Sequence, residues 1–130
     1  MNRNDLDKRL RELSIYSEFY LRKELKSLAQ LLEDGEQLNC ILTGVHEANR
    51  KMLAVTDRRL LLIFATALGG GELKVIRRDG VESWDFEKKL LFSRLSLSLK
   101  DGTSYVLTNT QGSLKELFAW AMRQPLPPSA

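Results

Sequence analysis

Lys51–Phe64 reads KMLAVTDRRLLLIF, two apolar runs on either side of a polar corner, Thr56-Asp57-Arg58-Arg59. Each run is too short for a stable helix and is bounded by turn-forming residues, so the stretch predicts two strands folded back on each other. The second run, Leu60-Leu61-Leu62-Ile63-Phe64, is continuous rather than alternating. A strand of that kind is expected where both faces of a sheet are covered.

Strand signals continue on either side of this hairpin. Gln37–Val45 predicts a strand before it, joined through the loop His46–Arg50 to Lys51–Thr56, with Arg59–Thr66 following. A Gly-rich turn, Leu68 to Glu72, leads to Leu73–Arg77, and Val81–Glu87 meets Leu90–Lys100 across a corner at Lys88-Lys89. In that sixth strand Leu95, Leu97 and Leu99 alternate with Arg94, Ser96 and Ser98, which separates an inner from an outer face. Asp101-Gly102 is a hairpin signal and returns the chain as a seventh strand, Thr103–Thr108. One amphipathic helix, Ser113–Arg123, follows. Ser113 and Glu116 have capping-box spacing, Leu114, Leu117, Phe118, Ala121 and Met122 form the apolar stripe, and Pro125 stops it. Leu117 and Phe118 are expected to pack against inward residues such as Leu97 and Val55.

Ahead of the strands the period is helical. Asn4 or Asp5 can cap a helix carrying Leu6, Leu10 and Leu13, and a second stripe runs through Leu21, Leu25, Leu28 and Leu32. Ser14 to Tyr20 breaks the phase between them, so two helices or one bent helix are expected, ending at Asp34-Gly35. The chain therefore divides into a helical extension (1–34), a strand-rich domain closed by its helix (35–124) and a flexible tail (125–130).

With 130 residues, 43% hydrophobic and 28% charged, the chain has the composition of one soluble domain with its own core. Its one cysteine, Cys40, lies in an apolar run and reads as a buried hydrophobe in reducing, cytoplasmic surroundings. The first twenty residues hold no signal peptide, and the longest apolar run, Leu60–Ala65, is far short of the ~20 residues of a membrane helix. His46 is the sole histidine and has no converging partners for a zinc site or a nucleophile triad. Gly69-Gly70-Gly71 is followed by Glu72 and a strand, which lacks the Lys-Ser/Thr ending and helix of a phosphate loop. No catalytic residue, metal or cofactor is expected, and the protein reads as a non-enzyme. Net charge is +3; residues 1–36 carry 7 Lys/Arg against 8 Asp/Glu, and residues 37–130 carry 13 against 9. So small an excess does not point to nucleic acid, although Trp84, Phe86, Lys88, Lys89, Phe92 and Arg94 interleave aromatic and basic residues.

Seven strands followed by one helix is the element order of the pleckstrin-homology fold, and residues 36–123 resemble the bacterial PH-like and GRAM-like families. The resemblance rests on Gly35-Glu36 before the first strand, on Leu53-Ala54-Val55-Thr56-Asp57-Arg58-Arg59-Leu60, and on Val81-Glu82-Ser83-Trp84. It implies a mainly β, α+β domain: a partly open, seven-stranded barrel of two orthogonal antiparallel sheets, with the last helix over one end. It is not specific for function, since the fold hosts lipid, peptide and self-association roles.

Two candidate surfaces follow. Lipid-binding relatives hold inositol phosphates with a basic residue followed by Lys/Arg-x-Arg entering the second strand. Here Arg50-Lys51-Met52-Leu53 puts a leucine at the closing position. Arg58 and Arg59 lie at the strand's far end, about 20 Å away for six residues at ~3.3 Å each. Arg50, Lys51, Arg58 and Arg59 are thus candidate contacts for a weak anionic ligand or membrane surface. The second candidate is apolar. Alternation in the sixth strand sends Leu90 and Phe92 outward, near Trp84 and Phe86, as an interaction patch for a protein partner or a second copy of the chain. The leucine-striped N-terminal helices are the intramolecular alternative for covering it.

Overall fold

The structure, a computed structural model, describes residues 1–15, 22–65 and 71–127. The expected phase break at Ser14–Tyr20, Leu21, the centre of the Gly-rich turn and the end of the tail fall wholly or partly outside them. Two helices, α1 (Arg3–Glu12) and α2 (Arg22–Leu31), precede seven strands: β1 (Leu38–His46), β2 (Asn49–Thr56), β3 (Arg59–Ala65), β4 (Gly71–Arg77), β5 (Val81–Glu87), β6 (Ser93–Leu99) and β7 (Ser104–Thr110). A 3₁₀ turn, Gly112–Leu114, leads into α3 (Lys115–Arg123). All strand pairs are antiparallel, in the order β4-β3-β2-β1-β7-β6-β5, and the sheet stays open because β4 and β5 do not pair.

The sheet turns between β1 and β7, where a single register pair, Val45 with Thr108, joins the two halves. Gly44 makes that approach feasible. A Cβ there would lie 2.8 Å from Thr110 Cγ2 and 2.9 Å from Leu107 Cβ, closer than real side chains tolerate.

Both faces of β1–β3 are buried, as the unbroken Leu60–Phe64 run predicts. The inner face contributes Cys40, Leu42, Leu53, Val55, Leu60 and Leu62 to the barrel core, with Phe86, Leu95, Leu97, Leu107 and Phe118. The outer face contributes Leu38, Ile41, Met52, Ala54, Leu61 and Ile63 to a second core, filled from above by Leu6, Leu10, Leu25, Leu28 and Leu32. The helical stripes thus cover the back of the first sheet. A bulge between Leu38 and Cys40 interrupts the ladder there. Arg9 of α1 fills the gap, its Nε donating to Leu38 O at 2.7 Å and its Nη2 to Asn39 Oδ1 at 3.1 Å.

Helix α3 lies over the barrel opening, with Phe118 fully buried and edge-on to Trp84 at a centroid separation of 5.0 Å. Leu117 is partly buried and packs against both cores. Arg78, at the corner between β4 and β5, fixes the far end of α3. Its Nη1 donates to Asp57 O at 3.0 Å and its Nη2 to the carbonyls of Met122 and Gln124. Burial lowers the arginine's pKa, with the Asp57 charge acting against that.

Two caps differ from expectation. Asn2, not Asn4 or Asp5, caps α1, its Oδ1 accepting from Asp5 N at 2.8 Å. The Ser113–Glu116 capping box does not form, because Ser113 sits inside the 3₁₀ turn and Leu114 occupies the cap position. The preceding Gln111 is bonded to β1 instead, its Oε1 accepting from Thr43 N at 2.9 Å.

Candidate contact surface

The corner that carries the family resemblance, Gly35-Glu36 with Thr56–Arg59, is held by a buried ion pair. Glu36, whose carboxylate has no solvent exposure, receives Arg59 Nε and Nη2, each at 2.9 Å, and the Thr56 hydroxyl at 2.7 Å. Glu33 N donates to the same carboxylate at 3.0 Å, and Arg59 Nη2 also reaches Leu31 O at 2.8 Å, at the end of α2. Burial alone would raise the Glu36 pKa, but the Arg59, Glu33 and Thr56 hydrogen bonds outweigh it and hold the carboxyl below its ordinary value. The same bonds to Glu36 raise the Arg59 pKa.

The four candidate basic residues are therefore not brought together. Arg59 is committed to Glu36, and Lys51 is 4% exposed with its Nζ 3.3 Å from Glu72 Oε2. Arg58 Nη2 donates to Asp34 O at 3.3 Å, and the exposed Arg50 donates to Thr43 Oγ1 at 3.1 Å and to Asn109 O. Each pairs locally, so no shared cradle for a headgroup exists among them.

The four candidate apolar residues split in two. Trp84 pairs with Leu97, and Phe86 with Leu95. Directly opposed residues of an antiparallel pair share a face, so both aromatics turn inward with those leucines. Phe86 is 2% exposed and belongs to the core, and Trp84 is half-buried on Phe118. Neither aromatic is part of an outer patch, and the parity of Leu95 and Leu97 already carried that signal. Leu90 and Phe92 are exposed for a different reason from the expected strand alternation. β6 begins only at Ser93, and Lys88–Phe92 form the loop between β5 and β6. Leu90 is 99% exposed, Leu91 78% and Phe92 62%. Leu91 was missed because the corner was placed at Lys88-Lys89 alone.

The base of this loop is anchored. Ser93 is buried and pairs with Thr110, and its Oγ accepts from Lys89 N at 3.3 Å. Gly112 fits against it so closely that an added Cβ would stand 2.5 Å from Ser93 Oγ. Cations flank the tip. Glu87 Oε2 lies 3.5 Å from Lys89 Nζ and 3.3 Å from Arg94 Nη2; the side chains are about half exposed, but Oε2 itself is shielded from water. No helix among the described residues is long and apolar enough to cross a membrane. The N-terminal helices lie on β1–β3 and leave the tip uncovered.

Among the described residues no group of three or more His, Cys, Asp and Glu could hold a metal. The Cys40 thiol is fully buried, and burial pushes its pKa up to about 12, which leaves no thiolate at neutral pH. His46 faces the Val106 carbonyl at 3.3 Å and Glu47 at 3.3 Å, and its ring lies 5.6 Å from that of Tyr105.

No curated protein matches the chain. Among solved structures it is similar to a pleckstrin homology domain from Shewanella amazonensis, at 19% identity and a TM-score of 0.55, with 85% of this chain and 92% of that one covered. It is similar as well to a DUF1696 family protein with a pleckstrin-homology domain from Shewanella loihica, at 18% identity and a TM-score of 0.52, covering 80% of this chain and 99% of the other. At such identities these likenesses speak for the fold. The profile of the bacterial PH domain family matches residues 32–121, well over half of the sequence and the whole span from the end of α2 to α3. With the element order, the open seven-stranded sheet and the helix over its end, that match shows that the chain belongs to the bacterial PH domain family.

Proposed function

We propose that this domain is a non-enzymatic interaction module whose contact surface is the tip of the β5–β6 loop, Leu90-Leu91-Phe92. One observation carries the reading: three consecutive large apolar side chains stand in water on an anchored base, and they are the most exposed large hydrophobics among the described residues. Exposed apolar clusters of this kind favour contact with another surface, because burial removes apolar area from water at roughly 25 cal/mol per Å². The partner classes raised by the sequence are a protein, a second copy of this chain included, and an anionic membrane surface. Peripheral attachment is compatible with either.

The test compares wild type with the triple variant Leu90→Ser, Leu91→Ser, Phe92→Ser. Because the three side chains are mostly exposed, the variant is expected to keep its urea midpoint, as exposed substitutions usually change stability by less than ~0.5 kcal/mol. It is expected to lose whatever association wild type shows, measured by sedimentation over a concentration series and by co-sedimentation with vesicles. Identical behaviour of the two proteins in both assays would contradict the reading.

A further inference from the structure

We infer that the β5–β6 tip inserts into the interface of an anionic lipid bilayer, an inference that rests on the tip being the contact surface. Three features favour a bilayer over a second protein. The first is area. At roughly 150–250 Å² for a fully buried large side chain, the exposed parts of Leu90, Leu91 and Phe92 amount to about 400 Å². That is half of the ~800 Å² per partner in a standard protein interface. A bilayer needs no matching partner surface and accepts a narrow wedge.

Charge is the second. Residues 87–94 carry Lys88, Lys89 and Arg94 against the single carboxylate of Glu87, and these cations lie on both sides of the apolar step in sequence. In a two-fold dimer made through this tip, the same patch would face itself and bring cation against cation. At a membrane the same arrangement places leucine and phenylalanine at the acyl boundary and the basic groups at the phosphate level, where anionic lipid attracts them. Glu87 pairs with Lys89 and Arg94 at 3.5 and 3.3 Å through half-exposed side chains; the shared Oε2 is itself shielded from water, while the two cations remain open to lipid phosphates.

The third feature is the anchoring. The buried Ser93, its bond from Lys89 N and the close fit of Gly112 fix both stems of the loop, so little ordering of the stems remains to oppose binding. The site is separate from the β1–β2 residues Arg50 and Lys51, which have local partners.

The experiment is co-sedimentation of the full chain with phosphatidylcholine vesicles, with and without phosphatidylserine, run beside sedimentation velocity without lipid. Wild type is expected to bind the anionic vesicles, and to bind equally when phosphatidylglycerol replaces phosphatidylserine. The triple serine variant is expected to bind at least about tenfold more weakly, from the loss of buried apolar area. Lys88→Gln with Lys89→Gln is expected to lose about fivefold per charge, an effect that shrinks as salt rises. Should the triple variant shift its urea midpoint, Leu90→Ser alone replaces it, since Leu90 has no packing to lose. A wild type that ignores anionic vesicles, or binds them as well without its apolar tip, overturns the bilayer inference. If it ignores vesicles but self-associates in a tip-dependent way, the bilayer falls and the contact surface stands. If the serine variant matches wild type in every arm, both fall.

Discussion

Replacing Phe118 by alanine is expected to destabilise the domain by about 3–5 kcal/mol, the range for removing a fully buried phenylalanine and leaving a cavity. Phe118 has no exposure, and its ring meets Trp84 edge-on and Phe86 at 6.0 Å. It is also the residue through which α3 enters the barrel core beside Leu97 and Val55. Collapse around the vacated space is limited because its walls belong to β2, β5 and β6, whose ladders fix them. A domain of ordinary stability has only ~5–15 kcal/mol in total. Urea unfolding followed by tryptophan fluorescence reads the loss, since Trp84 packs on Phe118 itself. An unchanged midpoint contradicts the placement of α3.

Arg59→Met is expected to cost about 3 kcal/mol at neutral pH, the lower end for breaking a buried ion pair, because the Arg59 side chain retains 18% exposure. The cost arises from Glu36, left charged and buried with only Thr56 and Glu33 N as partners. Its pH dependence identifies the mechanism. In wild type the Glu36 pKa is held below its ordinary 4.5, so the pair's contribution is present above pH 4.5 and is lost as pH falls through the depressed folded value. Without Arg59 the carboxyl loses its cationic partner, so the folded pKa moves up from its wild-type value and the stabilisation present above pH 4.5 shrinks. Urea melts of both proteins at neutral pH and near pH 4 are expected to show the gap between them narrowing in acid. A gap independent of pH points to lost packing rather than lost charge pairing.

The elements with strong local signals were legible in the sequence. Val81–Glu87 is bounded as expected, and the unbroken Leu60–Phe64 run announced a strand covered on both faces. Contacts that depend on distant partners were not legible. The leucine stripes of α1 and α2 declared that they would be buried, but a stripe does not say which sheet face receives it. The late start of β6 depends on Ser93 turning in to pair with Thr110, seventeen residues on, and that pairing displaces Leu90–Phe92 from strand to loop. Arg59, a candidate contact for an anionic ligand by sequence, is instead bound to Glu36, 23 residues earlier, and nothing local in the sequence announces that pairing. The pattern that carried the family resemblance, Gly35-Glu36 with Thr56-Asp57-Arg58-Arg59, contains both halves of that clamp. Phe86 is the case where the signal was present and unused, since its partner Leu95 lay on the inner face.

The β5–β6 tip is proposed as the surface this domain presents to its partner. The most direct measurement is the emission of a polarity-sensitive dye attached through Leu90→Cys. Labelling is selective because the native Cys40 is fully buried and has a pKa of about 12. On titration with phosphatidylserine-containing vesicles the dye is expected to shift to the blue as the tip leaves water, and to stay unshifted with phosphatidylcholine alone. Protein that sediments with the anionic vesicles while its dye still emits as in water would contradict the account.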